Sequence, residues 1–166
     1  TDYTEYGISK DHSAVVKGRA GSPYAIKDYF DVDPDLAVIV ENRIQEFEAL
    51  INRCHDAGLK VIIDFVPNHL ARKYKSDSAP CNIRDFGADD IISDEFNPNN
   101  SFYYLQDERF AAEIDLYGEE IEPYYEFPAK VTGNDCFTAI PSANDWYETV
   151  KLNYGVDYQA GRMTYF

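Results

Sequence analysis

At 166 residues the chain is long enough for one ordinary domain, and 30 acidic against 15 basic side chains leave it a net charge of −15. That excess argues against nucleic-acid or anionic-membrane partners, whose recognition needs basic patches, and no apolar run approaches the roughly 18 residues that a membrane helix needs. Aromatic residues make up 15% of the chain, which suits a neutral, stackable ligand and equally an aromatic core.

In chain order, residues Thr1 to Ala20 read as loop. Asp31, Asp33 and Asp35 open like a calcium loop, but Leu36 replaces the necessary glycine and Asn42 the bidentate glutamate, so no cation is expected there. Ile44, Phe47, Leu50, Ile51 and Cys54 recur at spacings of three and four, which predicts a helix over about Arg43 to Ala57. Asn42 is placed to cap it, with Gln45 as a weak capping box, and Gly58 to end it. Lys60-Val61-Ile62-Ile63-Asp64-Phe65-Val66 is too short for a second helix. Its β-branched apolar run predicts a strand buried on both faces of a parallel sheet, stopped by Pro67. Helix, glycine turn, buried strand and polar loop make one step of an α/β fold. From Leu70 onward the helical period fades and turn signals take over at residues 97–100, Pro123, Pro128, residues 133–134 and Pro141. Short strands are expected at Phe102–Leu105, Tyr124–Phe127 and Val150–Leu152. Over 90 residues of mostly irregular chain usually means functional loops or an insertion. Asn99-Asn100-Ser101 is a glycosylation sequon, meaningful only on a eukaryotic secretory route.

In such folds ligands sit beyond the carboxyl ends of the strands, where Asn68 and His69 fall. His69 is read equally as a ligand contact or as a satisfied structural histidine. Asp64 interrupts an apolar strand, and a buried carboxylate is costly unless paired or hydrogen-bonded; the simpler reading is a structural aspartate that orders nearby loops. Cys54, Cys81 and Cys136 are odd in number without a CxxC pair, suggesting neither a zinc site nor a disulfide framework.

The stretch Asp64-Phe65-Val66-Pro67-Asn68-His69 resembles the first conserved region of the α-amylase superfamily, glycoside hydrolase family 13. Gly21-Ser22-Pro23-Tyr24-Ala25-Ile26-Lys27-Asp28-Tyr29 is similar to the family segment after the second barrel strand, and His55 to Lys60 to the lead-in of the third. More weakly, Asp145 to Gly155 is similar to the segment that closes domain B, the irregular insertion after strand three. The resemblance implies an α/β fold, a fragment of a (β/α)8 barrel. Residues 1–69 would hold the loop after strand two, a helix and parallel strand three, and residues 70–166 a domain B-like insertion. Tyr24 corresponds to the aromatic that stacks on the sugar beside the scissile bond, and His69 to the histidine that hydrogen-bonds that sugar. Asp64 corresponds to a framework aspartate, and Asn68 to a position that often helps bind a structural calcium.

Two departures bear on this. Lys151 stands where the family often completes the calcium site with aspartate, and an ammonium cannot ligate a cation, so no cofactor is expected. Gly21 replaces an aspartate with which exo-acting α-glucosidases grip the chain end, which favours an internally cutting cleft. A retaining glycosidase needs two carboxyl groups about 5–5.5 Å apart; the resembled family carries both, with a third aspartate, on strands four, five and seven, and no GxRxD-like motif is present here. The expectation is a fragment of an α-glucan hydrolase that holds no catalytic residue and is inactive alone. The alternative is a non-catalytic carbohydrate-binding or interaction domain derived from the same barrel. A partial barrel also exposes strand edges and so invites self-association. No signal peptide is visible, and the compartment stays open.

Overall fold

A computed structural model describes residues 7–8, 11–18, 21–112 and 123–163. The predicted helix forms as α1, Arg43–Asp56. Its start differs from the predicted capping box. Asn42 makes no side-chain cap, and Glu46 reaches back instead to accept from the Val38 and Ile39 amides, both at 2.8 Å. The Arg43 Nε donates to Asp31 at 2.7 Å, so the first acid of the calcium-like loop is spent on an ion pair. At the far end the Gly58 amide bonds the His55 carbonyl and the Leu59 amide the Cys54 carbonyl. This crossed pattern closes α1 where glycine predicts it should close.

The folded centre is built from short antiparallel strands. It comprises β1 (His69–Ala71), β2 (Tyr104–Leu105), β3 (Ala129–Lys130), β4 (Thr149–Lys151), β5 (Val156–Asp157) and β6 (Arg162–Met163). β1 pairs antiparallel with β4, with His69 opposite Lys151; β2 pairs with β3 and β5 with β6. Backbone bonds from Lys151 to Val131, from Val131 to Tyr103 and from Leu152 to Asn68 join the first two pairs into one small antiparallel layer. Leu70, Phe102, Tyr104, Val150 and Leu152 pack on it as one apolar cluster, and Val15, Phe110, Ala129, Ala139 and Tyr147 form a second. The strand expected at 102–105 is present only as β2 with an isolated bridge from Phe102 to Leu152, and the one expected at 150–152 as β4, one residue earlier. The one at 124–127 is displaced past Pro128 to Ala129–Lys130, beyond the residue that can donate no ladder bond.

At the heart of this layer lies Arg72, only 2% exposed. Its Nε donates to the Tyr147 carbonyl (2.6 Å), Nη1 to Glu126 (2.7 Å) and the Lys130 carbonyl (3.1 Å), and Nη2 to the Thr149 carbonyl (3.1 Å). The guanidinium lies over the Phe110 ring, 4.1 Å from its centroid. Burial works to raise the Glu126 pKa, but Arg72, then Lys130, outweigh it and hold the carboxyl below its usual range.

The segment 61–66 departs from expectation. It is extended but pairs with no strand among the described residues, so the parallel strand and the barrel are not formed here. Ile62 is 92% exposed, Ile63 and Phe65 are exposed as well, and so is Asp64. No residue of α1 is buried. An apolar run becomes a parallel strand only with neighbours on both edges and covering helices on both faces, and none of the described residues supplies them. Beside this segment Tyr29, Phe65, Phe86, Pro98 and Tyr154 line an open cavity of about 450 Å³.

Breaking the buried pair should cost more than any surface change, because removing one partner leaves the other charge uncompensated. Arg72→Met is expected to destabilise the fold by about 3–5 kcal/mol. Adding Glu126→Gln to that variant should recover part of the loss. Urea denaturation of the single and double variants measures both.

Candidate functional site

The segment carrying Tyr24 is held from three sides. Ser22 Oγ accepts from the Tyr24 amide (3.2 Å), and Glu148 Oε2 accepts from the Lys17 and Ser22 amides at 2.8 and 3.2 Å. Farther along, the Ala71 amide of β1 donates to the Ile26 carbonyl at 2.9 Å. Asp28 accepts from Ser76 Oγ and from the Asp77 and Ser78 amides, tying the segment to the chain beyond β1. On this backbone the Tyr24 ring is 54% exposed. Gly21, in the same turn, has φ +76°, and a Cβ there would approach Val16 Cγ1 to 3.3 Å. The turn therefore favours glycine where the resemblance would allow aspartate.

His69 begins β1 and is 2% exposed. Its Nε2 donates to the Tyr24 carbonyl at 2.9 Å, which leaves Nδ1 to accept from the Asn68 amide at 2.7 Å. A neutral imidazole with its proton on Nε2 satisfies both contacts. Gly133 allows a close approach here, since a Cβ would come within 2.8 Å of His69 Cβ. Trp146 packs edge to face on the imidazole, ring centroids 5.0 Å apart, and is 43% exposed. The structure thus brings Tyr24, Asn68 and His69 together, and adds Glu148 and Trp146, to which the sequence reading gave no role. Trp146 is the single tryptophan of the chain, and that rarity was the available signal. Asp64 stands apart on the uncovered segment.

The sequence model described as the alpha amylase catalytic domain matches residues 14–126, well over half of the chain. The chain belongs to that family. Among its relatives is the amino acid transporter heavy chain SLC3A1 of Rattus norvegicus, 41% identical over 51 residues, which are 31% of this chain and 7% of that protein. Maltase 1 of Drosophila virilis is 38% identical over 52 residues, 31% of this chain and 7% of its own length. Alpha-amylase 2 of Dictyoglomus thermophilum is 31% identical over 61 residues, 37% of this chain and 10% of its own. The matched segments are thus a small part of each relative. No solved structure matches the chain.

The Asn68 amide is turned to His69, and Lys151, opposite His69 in the β1–β4 register, is ion-paired with Asp135. Burial acts against the Lys151 ammonium, but Asp135 and Tyr158 hold its pKa above the usual lysine value. Among the described residues no three His, Cys, Asp or Glu side chains gather as a metal site.

Burial also pushes the His69 pKa below the ordinary histidine value; the Tyr24 carbonyl and Glu148 oppose this, and Lys151 adds to it. The unfolded chain therefore takes up the proton at higher pH than the folded one. Stability from the neutral imidazole is full above the unfolded value of about 6.5 and is lost as pH falls through the lower folded value. Melting temperatures recorded from about pH 7.5 to pH 5 should decline, and His69→Gln should flatten the decline.

Proposed function

We propose that this chain is the substrate-facing wall of an α-glucan glycosidase that works with retention, and that it is inactive alone. The carrying observation is the exposed Tyr24 side chain, on a residue whose backbone carbonyl accepts from His69 Nε2, in a chain of the alpha-amylase family. An exposed ring on a fixed backbone offers a flat apolar face to the C–H face of a glucose unit. Nε2–H of His69, at its base, is the donor that a sugar hydroxyl takes when it displaces the Tyr24 carbonyl. Asn68 serves structurally, by orienting the imidazole. Retention requires a nucleophile and an acid/base carboxyl. Glu148, the carboxylate that faces His69, has an oxygen committed to two backbone amides and is not a free catalytic acid. No calcium is required, because an ammonium fills the family's carboxylate position.

A second reading, a barrel-derived interaction domain without catalysis, is favoured by the likeness to a protein named as an amino acid transporter heavy chain. It predicts that Tyr24 is dispensable.

The 166-residue chain should release no reducing sugar from starch above background, with or without calcium. Within a complete barrel carrying this segment, Tyr24→Ala should lower kcat/KM by about ten- to a thousand-fold, roughly 1.4–4 kcal/mol of transition-state stabilisation, with little change in melting temperature. His69→Ala should lower both, since that side chain is buried. Unchanged kinetics in Tyr24→Ala would favour the interaction domain.

A further inference from the structure

We propose that segment 60–65 is a homodimerisation edge, at which two copies of the chain pair antiparallel about a two-fold axis through Ile62. The pairing is independent of any ligand at Tyr24.

The segment is fixed at both ends and open between them. At its start the Leu59 amide donates to the Cys54 carbonyl at 2.9 Å, tying it to the end of α1. At its end the Tyr29 hydroxyl donates to the Val66 carbonyl and the Tyr154 hydroxyl to the Pro67 carbonyl. Among the described residues, no backbone amide or carbonyl of residues 60–65 is hydrogen-bonded. Lys60 and Asp64 are exposed, and neither has a hydrogen-bond or ion-pair partner among the described residues. A row of unpaired donors and acceptors on an apolar run is a template for another strand. Pro67, which cannot donate, ends the row.

The order of the side chains selects the strand that fits. Directly opposed residues of an antiparallel pair share one face of the sheet. With Ile62 facing Ile62 of the second copy, Lys60 faces Asp64 and Asp64 faces Lys60. One face then carries two opposite-charge pairs around an isoleucine pair. The other face sets Val61 against Ile63 and Leu59 against Phe65, all exposed in the single chain. Sliding the second copy by one residue turns Lys60 to Phe65 or Ile63, and sliding it by two turns Lys60 to Val66 or Ile62. A parallel in-register stack places Lys60 on Lys60 and Asp64 on Asp64, where like charges repel. Lys60-Val61-Ile62-Ile63-Asp64 is thus complementary to itself in one antiparallel register, and the contact is isologous. A net charge of −15 on each copy opposes growth beyond the pair. One strand a side buries little area, so the dimer is weak, and at low micromolar concentration the segment lies open.

Sedimentation equilibrium on the 166-residue chain is the test. The expected mass rises with concentration from 19.0 kDa toward twice that value and no further. Lys60→Asp and Asp64→Lys each set like charges face to face in both pairs, and each should weaken the dimer by roughly tenfold. An equimolar mixture of the two variants restores both opposite-charge pairs and should associate as tightly as the unsubstituted chain. Ile62→Lys, which brings two ammonium groups together on the axis, should leave only monomer. These positions are exposed, so circular dichroism of the variants should match that of the unsubstituted chain. A chain that stays monomeric into the millimolar range would overturn the proposal. So would growth beyond a dimer, association that the charge variants leave unchanged, or a loss that their mixture does not recover.

Discussion

A charged guanidinium with almost no access to water must find its hydrogen-bond acceptors inside the protein, and Arg72 finds them on residues 126, 130, 147 and 149. Three of those acceptors are backbone carbonyls, so the requirement falls on the path of the chain rather than on side-chain choice. Burying one cation therefore fixes how β1, β3 and β4 lie against one another. Apolar burial in the two clusters then adds to an arrangement whose geometry the charge already dictates. Lys130 and Tyr124 complete the Glu126 shell, and this keeps a buried ion pair from being a net burden.

The candidate site inherits that rigidity. His69 begins β1 and Arg72 directly follows its last residue, so the segment that positions the cation also positions the imidazole. From there the contacts run outward. Nε2 holds the Tyr24 carbonyl, Nδ1 holds Asn68, the ring edge meets Trp146, and Glu148 anchors the turn before Tyr24. The family relation gives that arrangement its chemical context. The antiparallel layer holds the segment carrying Tyr24 in place while the apolar segment 61–66 stays uncovered.

The helix was legible to within a residue, since α1 depends on local spacing and on the glycine that closes it. Local sequence also reported β4 and the 102–105 strand, because apolar residues on short extended runs pack wherever the chain brings them. The run 61–66 was misleading for a physical reason: its composition states what it would be inside a sheet, and the neighbours that would make the sheet are not among the described residues. Arg72 was invisible in Leu70-Ala71-Arg72-Lys73, where an arginine next to a lysine reads as solvated surface. Of the candidate site, Tyr24 and His69 were singled out through motifs. Trp146 and Glu148 came into view only when β4 folded back on β1, a pairing across nearly 80 residues that no local pattern encodes.

Native-state amide hydrogen exchange tests the central claim, that order radiates from the Arg72 layer and not from the apolar segment before it. The amides of Ala71, Arg72, Val131, Lys151 and Leu152 all donate within that layer or to the segment carrying Tyr24. They should exchange only through global unfolding, while those of Ile62, Ile63 and Phe65 exchange faster by orders of magnitude. Protection of residues 61–66 equal to that of 69–72 would contradict the account.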